Sequence, residues 1–213
     1  MYKAIIFDLD GTLTDTLRDL YDSVNYALRK MGFPERTMDE VRNFVGNGIH
    51  RLIERAVPQD TSKEALEMCF ANFREHYVVH CQDHTCLYPG IDTLLKELHE
   101  RGIKLAIVSN KLQAGVDELY ATYFQDTVNI AIGEQEGLRR KPSPDMIEFV
   151  LKKLGINKEE ALYVGDSEVD IATANNAGLP CISVLWGFRH REELTKAGAT
   201  SFISHPHELL ELL

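Results

Sequence analysis

The amino-acid sequence predicts an α/β fold, a parallel sheet with an all-helical segment inserted after its first strand. Short apolar runs of strand length alternate with amphipathic helical patterns through most of the chain. The first such run, Lys3–Leu9 (KAIIFDL), is cut off from the others by a long stretch of purely helical pattern. We therefore predict a core domain built from residues 1–15 and 85–213, with residues 16–84 inserted as a helical domain.

The inserted segment shows the start and stop signals of several helices. Apolar residues recur at three- and four-residue steps from Leu17 to Met31. Thr37 with Glu40 and Thr61 with Glu64 have the spacing of capping boxes, which predicts a helix start at each. An insertion whose two ends lie beside the first strand of a sheet is a natural lid for a site at that strand.

The second part of the chain alternates between strand and helix. Buried strands are predicted where short apolar runs occur, at 104–108, 128–132, 161–164, 181–185 and 202–203. Helices are predicted between them, at 91–101, 144–154 and 168–177, several of them ending at a glycine. This alternation is typical of a parallel sheet that is covered by helices on both faces.

Composition narrows the classes of function. The chain has 213 residues, 44% of them hydrophobic, and a formal net charge of -10. An acidic chain without a basic patch is not expected to bind nucleic acid or an anionic membrane. No signal peptide, no stretch of transmembrane length and no CxxC cysteine pair occurs, so we expect a cytoplasmic protein with reduced thiols. The sequence leaves open whether it is a monomer or a homodimer.

The most informative stretch follows the first predicted strand. Asp8 and Asp10 stand where that strand opens into a loop, and Gly11 permits a tight bend next to them. Two neighbouring carboxylates either share a proton or share a hard cation such as Mg²⁺. An ordinary acidic turn is the alternative. A calcium loop of the EF-hand type is excluded, because its obligatory glycine would fall at Leu13 and the flanks are not both helical.

Polar residues also follow two further predicted strands. Ser109 and Asn110 end one strand, and Asp166 ends another, with Asp170 four residues later. Lys141 lies in a connection between a strand and a helix. Each residue taken alone also has a structural interpretation without a function. Ser109 would be a turn residue, Asp166 a helix N-cap and Lys141 a solvated loop cation. Together, carboxylates, a hydroxyl, an amide and a lysine at one edge of a sheet form the set that a phosphoryl group requires.

Four motifs then show a resemblance to a known family. They are DLDGT at 8–12, VSN at 108–110, KPSPD at 141–145 and GDSEVD at 165–170. In this order they resemble the haloacid dehalogenase superfamily, on its phosphatase side. Within it, VGNGIHRLIERA, LYPGI and VLWGFRHREEL are most similar to phosphoglycolate phosphatases. The resemblance implies a Rossmann-like core with a small helical cap, corresponding to the inserted segment.

The resemblance implies a role for each residue in catalysis. Asp8 would be the nucleophile that forms an aspartyl-phosphate, and Asp10 the general acid and then the general base. Ser109 and Asn110, the latter through the backbone near it, would bind the phosphoryl oxygens. Lys141 would both bind the phosphoryl group and neutralise charge on the nucleophile.

The resemblance also implies Mg²⁺ as the cofactor. Its ligands would be the Asp8 carboxylate, the Asp10 main-chain carbonyl and Asp166. Asp170 would lie in this ligand set or just outside it.

The expected partner is a small phosphorylated metabolite, with 2-phosphoglycolate as the leading candidate. Cap side chains near the loop 46–48 would set specificity, and His50, Arg51 and Arg55 are candidate anchors for a substrate carboxylate. Enzymatic alternatives are an inorganic pyrophosphatase and a sugar phosphomutase of the β-phosphoglucomutase type. A phospho-ligand sensor without catalysis is the remaining alternative, and retention of every catalytic residue type argues against it.

Overall fold

The computed structural model describes residues 2–213, which divide into two compact units. One unit comprises the chain up to Thr14 together with Leu87–Leu213, and the other is Asp15–Cys86. The strands, in chain order, are β1 (Ala4–Phe7), β2 (Thr14–Asp15), β3 (Cys86–Leu87), β4 (Lys104–Leu112), β5 (Ile130–Glu134), β6 (Ala161–Gly165), β7 (Cys181–Val184) and β8 (Phe202–Ile203).

The helices account for most of the remaining chain. The α-helices are α1 (Leu17–Lys30), α2 (Met38–Phe44), α3 (Ile49–Ala56), α4 (Lys63–His80), α5 (Ile91–Glu100), α6 (Gln113–Leu119), α7 (Asp145–Leu154), α8 (Glu168–Ala177) and α9 (Arg191–Lys196). A π-helical turn covers Tyr120–Phe124, and 3-10 turns cover Lys158–Glu160 and Pro206–Glu211. No helix in this described part of the chain combines the length and apolar character needed to cross a membrane.

The larger unit is built on a six-stranded sheet in the order β5-β4-β1-β6-β7-β8, with every neighbouring pair parallel. This confirms the predicted fold class. Strand β1 lies in the middle, and Phe7 is in register with both Ile107 of β4 and Val164 of β6. The residues just beyond these three positions therefore meet at the carboxyl edge of the sheet, where ligands bind in open α/β folds.

Both faces of the sheet are covered, as the apolar strand sequences require. Ile5 and Phe7 of β1 point into one core, together with Leu94 and Leu98 of α5. On the opposite face, a second core surrounds Ala4 and Ile6, the other alternate residues of β1. It includes buried side chains of α7 and β6, namely Met146, Ile147, Val150, Ala161 and Tyr163. A rigid, doubly buried central strand thus holds the polar residues that follow it.

The observed bounds differ most from the predicted ones in strands β4 and β5. Strand β4 was expected to end at Val108 but continues to Leu112, because Leu112 still pairs with Glu134 of β5 after an irregularity in register. Strand β5 was expected at 128–132 and is found at Ile130–Glu134. The N–H of Val128 is used otherwise: it donates to the Phe124 carbonyl at 2.8 Å and closes the preceding helical turn.

Apart from its two terminal residues, the regular secondary structure of the smaller unit is entirely helical. Its ends are joined by Asp19 of α1, whose carboxylate accepts hydrogen bonds from the N–H groups of His84 and Thr85 and from the Thr85 hydroxyl, at 2.7–3.2 Å. Asp19 is buried, so these donors replace the water that its charge would otherwise need. Both chain termini of the unit are thereby fixed near the same point.

One of the two predicted capping boxes is found. Thr37 and Glu40 cap α2 reciprocally. The other prediction was wrong: the N-cap of α4 is Ser62, whose hydroxyl accepts the N–H of Ala65 at 3.2 Å. Thr61 instead donates its hydroxyl to the Pro58 carbonyl at 2.7 Å, and the next residue, Ser62, serves as the N-cap.

Candidate active site

A buried ion pair joins the first motif to the third. Lys141 Nζ lies 2.7 Å from Asp8 Oδ1, directly after β1. Lys141 is only 4% exposed and Asp8 only 8%. A lysine is rarely buried to this extent unless its ammonium group meets acceptors. The reading of Lys141 as a solvated loop cation is therefore excluded.

Asp170 is the second partner of Lys141. Its Oδ1 lies 2.8 Å from Lys141 Nζ and accepts the Tyr163 hydroxyl at 3.0 Å. Its Oδ2 accepts the Ser167 hydroxyl at 2.5 Å and the N–H groups of Ser167 and Asp166 at 3.0 and 3.2 Å. Both carboxylate oxygens of Asp170 are thus engaged by donors from the protein.

Asp166 lies beyond the end of β6 and is 1% exposed. Its Oδ2 accepts the N–H of Phe188 at 2.7 Å, and the Thr12 hydroxyl lies 3.4 Å from its Oδ1. It does not cap α8; that cap is Ser167, in a box with Asp170. Because few donors reach Asp166, its carboxylate retains lone pairs for another ligand.

Asp10 is presented on a tight turn. The N–H groups of residues 12, 13 and 14 all converge on the Leu9 carbonyl at 2.9–3.3 Å, and the N–H of Gly11 donates to the Thr14 carbonyl. The Asp10 carboxylate contacts a second lysine, since its Oδ1 lies 3.3 Å from Lys111 Nζ. The two acidic residues of the first motif therefore have different cations.

Ser109 and Asn110, which follow Val108 within β4, have distinct contacts. The Asn110 side-chain amide makes two hydrogen bonds with the main chain of Lys141. Its Oδ1 accepts the Lys141 N–H at 2.8 Å, and its Nδ2 donates to the Lys141 carbonyl at 3.1 Å. Ser109 is 2% exposed, and its Oγ accepts the N–H of Lys111 at 3.1 Å. Asn110 thus fixes the loop that carries Lys141, and a phosphate-binding role for its backbone stays a prediction.

Charge is unevenly distributed among the buried carboxyls. Burial, and then the charge of Asp170, raises the pKa of Asp8 well above its usual value although Lys141 opposes the shift. Burial and Asp170 also raise the pKa of Asp166 to about 7. Burial acts on Asp170 in the same direction, but Lys141 and the hydrogen bonds outweigh it, and the pKa of Asp170 is lowered. Lys141 thus favours the ionised form of Asp170, whereas burial favours the protonated forms of Asp8 and Asp166.

These carboxylates fit a hard divalent cation. Within residues 2–213, Asp8, Asp166 and Asp170 form the one group of potential metal ligands whose donor atoms all lie within 4.8 Å of one another. Three buried carboxylates face a single lysine, so the site has an excess of negative charge that a cation would neutralise. An all-oxygen donor set is the one that Mg²⁺ prefers.

The comparison with known proteins decides the family. The family model described as haloacid dehalogenase-like hydrolase matches residues 5–184. The chain belongs to the haloacid dehalogenase-like hydrolases. The prediction made from the four motifs is confirmed at the level of family and fold.

Individual relatives agree with this placement. A phosphoglycolate phosphatase of Aliivibrio fischeri is 33% identical over 200 residues, which are 91% of this chain and 88% of that protein. One of Vibrio parahaemolyticus is 32% identical over 99% of this chain and 96% of its own length. The crystal structure of a candidate phosphoglycolate phosphatase of Lactobacillus delbrueckii subsp. bulgaricus superposes with a TM-score of 0.95 at 36% identity, covering 99% of this chain and 98% of that one. The expected enzyme class, a phosphatase of this family, is confirmed.

Sequence reasoning missed three residues that shape the site of this hydrolase. Lys111 pairs with Asp10, and the Tyr163 hydroxyl bridges Lys141 and Asp170. Gly187 lies against the first motif: a Cβ there would collide with the Gly11 carbonyl and with Asp166. Tyr163 lies in an apolar run that predicts only a buried strand, so a role for its hydroxyl was not predicted. No local sequence pattern marks the contacts of Lys111 or Gly187.

Gly187→Ala is expected to reduce phosphatase activity by about 100-fold, because the methyl group must displace either the first motif or Asp166 and such displacements misalign reacting groups. Gly102→Ala is the matched control. Gly102 has a positive φ of 76° but no neighbour within 4 Å of an added Cβ, so only local strain of about 1 kcal/mol is expected there. Steady-state rates of both variants check this. Equal activity of the two would contradict it.

Proposed function

We propose that this hydrolase is a Mg²⁺-dependent phosphate monoesterase that acts through an aspartyl-phosphate on Asp8, with 2-phosphoglycolate as its substrate. The observation that carries the proposal is the position of Asp8. It follows the central strand, lies 2.7 Å from Lys141 and belongs to the one three-carboxylate group found in the described residues. The names of the relatives support the choice of substrate.

Mg²⁺ would be held by Asp8, Asp166 and the main-chain carbonyl of Asp10. Asp170 belongs just outside this set, because protein donors already occupy both of its oxygens and it serves to hold Lys141 and the loop around Ser167. When bound, the cation would neutralise the charge on Asp8 and on the phosphoryl oxygens, which favours the ionised nucleophile.

In the first half-reaction, an Asp8 carboxylate oxygen attacks phosphorus and the bond from phosphorus to the ester oxygen breaks. Asp10 gives its proton to the departing alkoxide, so the alcohol leaves neutral and the phosphoryl group is bound to Asp8. Lys141 stabilises the negative charge that shifts onto the Asp8 carboxyl and the phosphoryl oxygens. Lys141 is already in place for this, held by Asp170 and Tyr163.

In the second half-reaction, the Asp10 carboxylate takes a proton from water and the resulting hydroxide oxygen attacks phosphorus. The bond from phosphorus to the Asp8 oxygen breaks, which regenerates the carboxylate and releases inorganic phosphate. Ser109, buried in the adjacent strand β4, donates its hydroxyl to a phosphoryl oxygen, and backbone N–H groups near Asn110 donate as well. Asp10 ends the cycle with its proton restored.

The helical unit Asp15–Cys86 is proposed to act as the cap that selects the substrate. Among the anchors considered from the sequence, Arg55 already donates to the Phe44 carbonyl and to Asn47 Oδ1, both at 2.8 Å, and so braces the loop 46–48. His50 and Arg51 pair with glutamates at the exposed surface of the unit. Arg55 is therefore a support of that loop, and the loop's own groups are the better candidates for substrate contact.

The proposal is tested by phosphate release with Mg²⁺ across a panel of 2-phosphoglycolate, pyrophosphate, β-glucose 1-phosphate, other sugar phosphates and nucleotides. We expect a strong preference for 2-phosphoglycolate. A preference for pyrophosphate would indicate the pyrophosphatase alternative. Isomerisation of β-glucose 1-phosphate without stoichiometric phosphate would indicate a phosphomutase. No reaction with any compound would overturn the proposal and favour a sensor.

Mg²⁺ is expected to raise the melting temperature more at about pH 8 than at about pH 5. The folded-state pKa of Asp166, about 7, exceeds its ordinary value of 3.8, so without metal its contribution to stability is full below about pH 4 and is lost as pH rises toward 7. The pKa of Asp8 is shifted in the same direction. Since Mg²⁺ binds the deprotonated carboxylates, its stabilisation grows over that same window.

Thermal melts in Mg²⁺ and in chelator at the two pH values measure this difference. Asp166→Asn is the control and should lose most of the shift caused by Mg²⁺. Arg139→Gln alters an exposed ion pair with Asp145 and should keep that shift. An equal or larger effect of Mg²⁺ at the acidic pH would contradict the proposed ligand set.

A further inference from the structure

Lys111 is a buried cation that the mechanism above leaves without a role. Its side chain is 7% exposed, and its Nζ lies 3.3 Å from Oδ1 of Asp10, whose side chain is 18% exposed. Burying an ammonium group is costly unless it meets a negative charge, so the position of Lys111 is coupled to that of the Asp10 carboxylate.

The local backbone directs Lys111 toward this pairing. The register of β4 against β5 becomes irregular between Val108 and Leu112, which is the segment that contains Lys111. The Lys111 N–H donates to Ser109 Oγ at 3.1 Å. The aliphatic stem of Lys111 passes close to Gly115, where an added Cβ would lie 3.1–3.5 Å from three of its carbons. A hydrogen bond at one end and a neighbouring glycine along the stem thus define the path of the side chain.

We propose that Lys111 is a positioning residue for Asp10: its Nζ donates a hydrogen bond to Oδ1 and so holds the Asp10 carboxyl toward the leaving-group oxygen, while the other carboxyl oxygen carries the proton that is transferred. A proton donor accelerates the reaction only when it is held within hydrogen-bond reach of the atom it protonates. In this role Lys111 acts on the reaction through Asp10. This inference rests on the proposed function, since it requires Asp10 to be the general acid.

Substrates with different leaving groups distinguish action of Lys111 through the proton donor Asp10 from other roles of Lys111. An alkoxide needs a proton to depart, whereas p-nitrophenolate leaves readily without one. In Lys111→Met, kcat/KM is expected to fall about 10- to 100-fold for both 2-phosphoglycolate and ethyl phosphate, but by less than about 3-fold for p-nitrophenyl phosphate. In Lys111→Arg, which keeps the cation, part of the lost rate with the alkyl substrates should return.

Three controls keep the test decisive. The melting temperature of Lys111→Met and its increase with Mg²⁺ should match those of the wild type, which shows that the fold and the carboxylate group are intact. Lys104→Met removes an exposed lysine from the other end of β4 and should change none of the rates. In an Asp10→Asn background, Lys111→Met should cause no further loss, because its only expected route of action is already removed.

Each other outcome overturns the inference. A loss confined to 2-phosphoglycolate would make Lys111 a ligand of the substrate carboxylate. An equal loss with all three substrates would make its role structural, and unchanged rates would exclude any role in turnover. If the wild type hydrolyses none of the three, the proposed function itself fails, and the inference fails with it.

Discussion

Asp8→Asn is expected to lower kcat by about 10⁴-fold or more, because an amide cannot form the acyl-phosphate bond and no other carboxylate can take its place. Asp166 and Asp170 lie in the same group, but each is held by N–H or hydroxyl donors. Phosphate release with 2-phosphoglycolate measures the effect. Asp60→Asn, a change of an exposed acidic residue in the helical unit, is the matched control and should leave the rate unchanged.

The same variant should remain folded. Asp8 is a buried carboxyl whose pKa is raised by burial and by Asp170, so replacing it removes an unfavourable charge, and Lys141 keeps Asp170 as its partner. In chelator near neutral pH, the melting temperature of Asp8→Asn should therefore equal or exceed that of the wild type. Retained activity in a folded Asp8→Asn variant would contradict the assignment of the nucleophile.

Lys141→Met is expected to have the second-largest effect, on stability as well as on rate. It leaves Asp170 and Asp8 buried without their cation, and breaking a buried pair in this way typically costs about 3–5 kcal/mol. Loss of one charge-stabilising contact should also lower kcat by about 10²–10³-fold. Chemical denaturation in chelator near neutral pH and steady-state rates measure the two effects.

The loss of stability in Lys141→Met is expected to depend on pH. Without Lys141, the two carboxyls bind protons more tightly in the folded than in the unfolded chain, so the stability of the variant falls as pH rises above about 4. The deficit relative to the wild type should thus shrink toward acidic pH. Lys104→Met, an exposed lysine on the same sheet, should show no deficit at any pH. A Lys141→Met variant as stable as the wild type at neutral pH would contradict the network described here.

Much of the site was predictable because it depends on the ends of strands. The apolar run before Asp8 and the run before Asp166 each read as a buried parallel strand, and the ends of neighbouring parallel strands meet at one edge. Ser109 follows from the same argument. The role of Lys141 came from the resemblance, since a lysine in a loop carries no signal of burial in its own surroundings.

The remaining features depend on contacts that local sequence does not encode. Lys111 and Asp10 are 101 positions apart, so their pairing follows only from the order of strands in the sheet. The register irregularity that extends β4 past Val108 is likewise set by its partner strand. At the start of α4, two adjacent hydroxyl residues compete for the cap, and the geometry of the preceding turn decides in favour of Ser62.

The central claim is that the phosphoryl group passes through Asp8. The most direct test mixes Asp10→Asn with p-nitrophenyl phosphate and Mg²⁺, follows nitrophenol release on the millisecond scale, and maps the acid-quenched protein by mass spectrometry. The account predicts a burst of about one nitrophenol per enzyme followed by slow turnover, with one phosphoryl group on Asp8, because the first step needs no proton donor and the second lacks its base. Absence of both burst and label in this variant, while the wild type turns over the same compound, would show that water attacks the substrate directly.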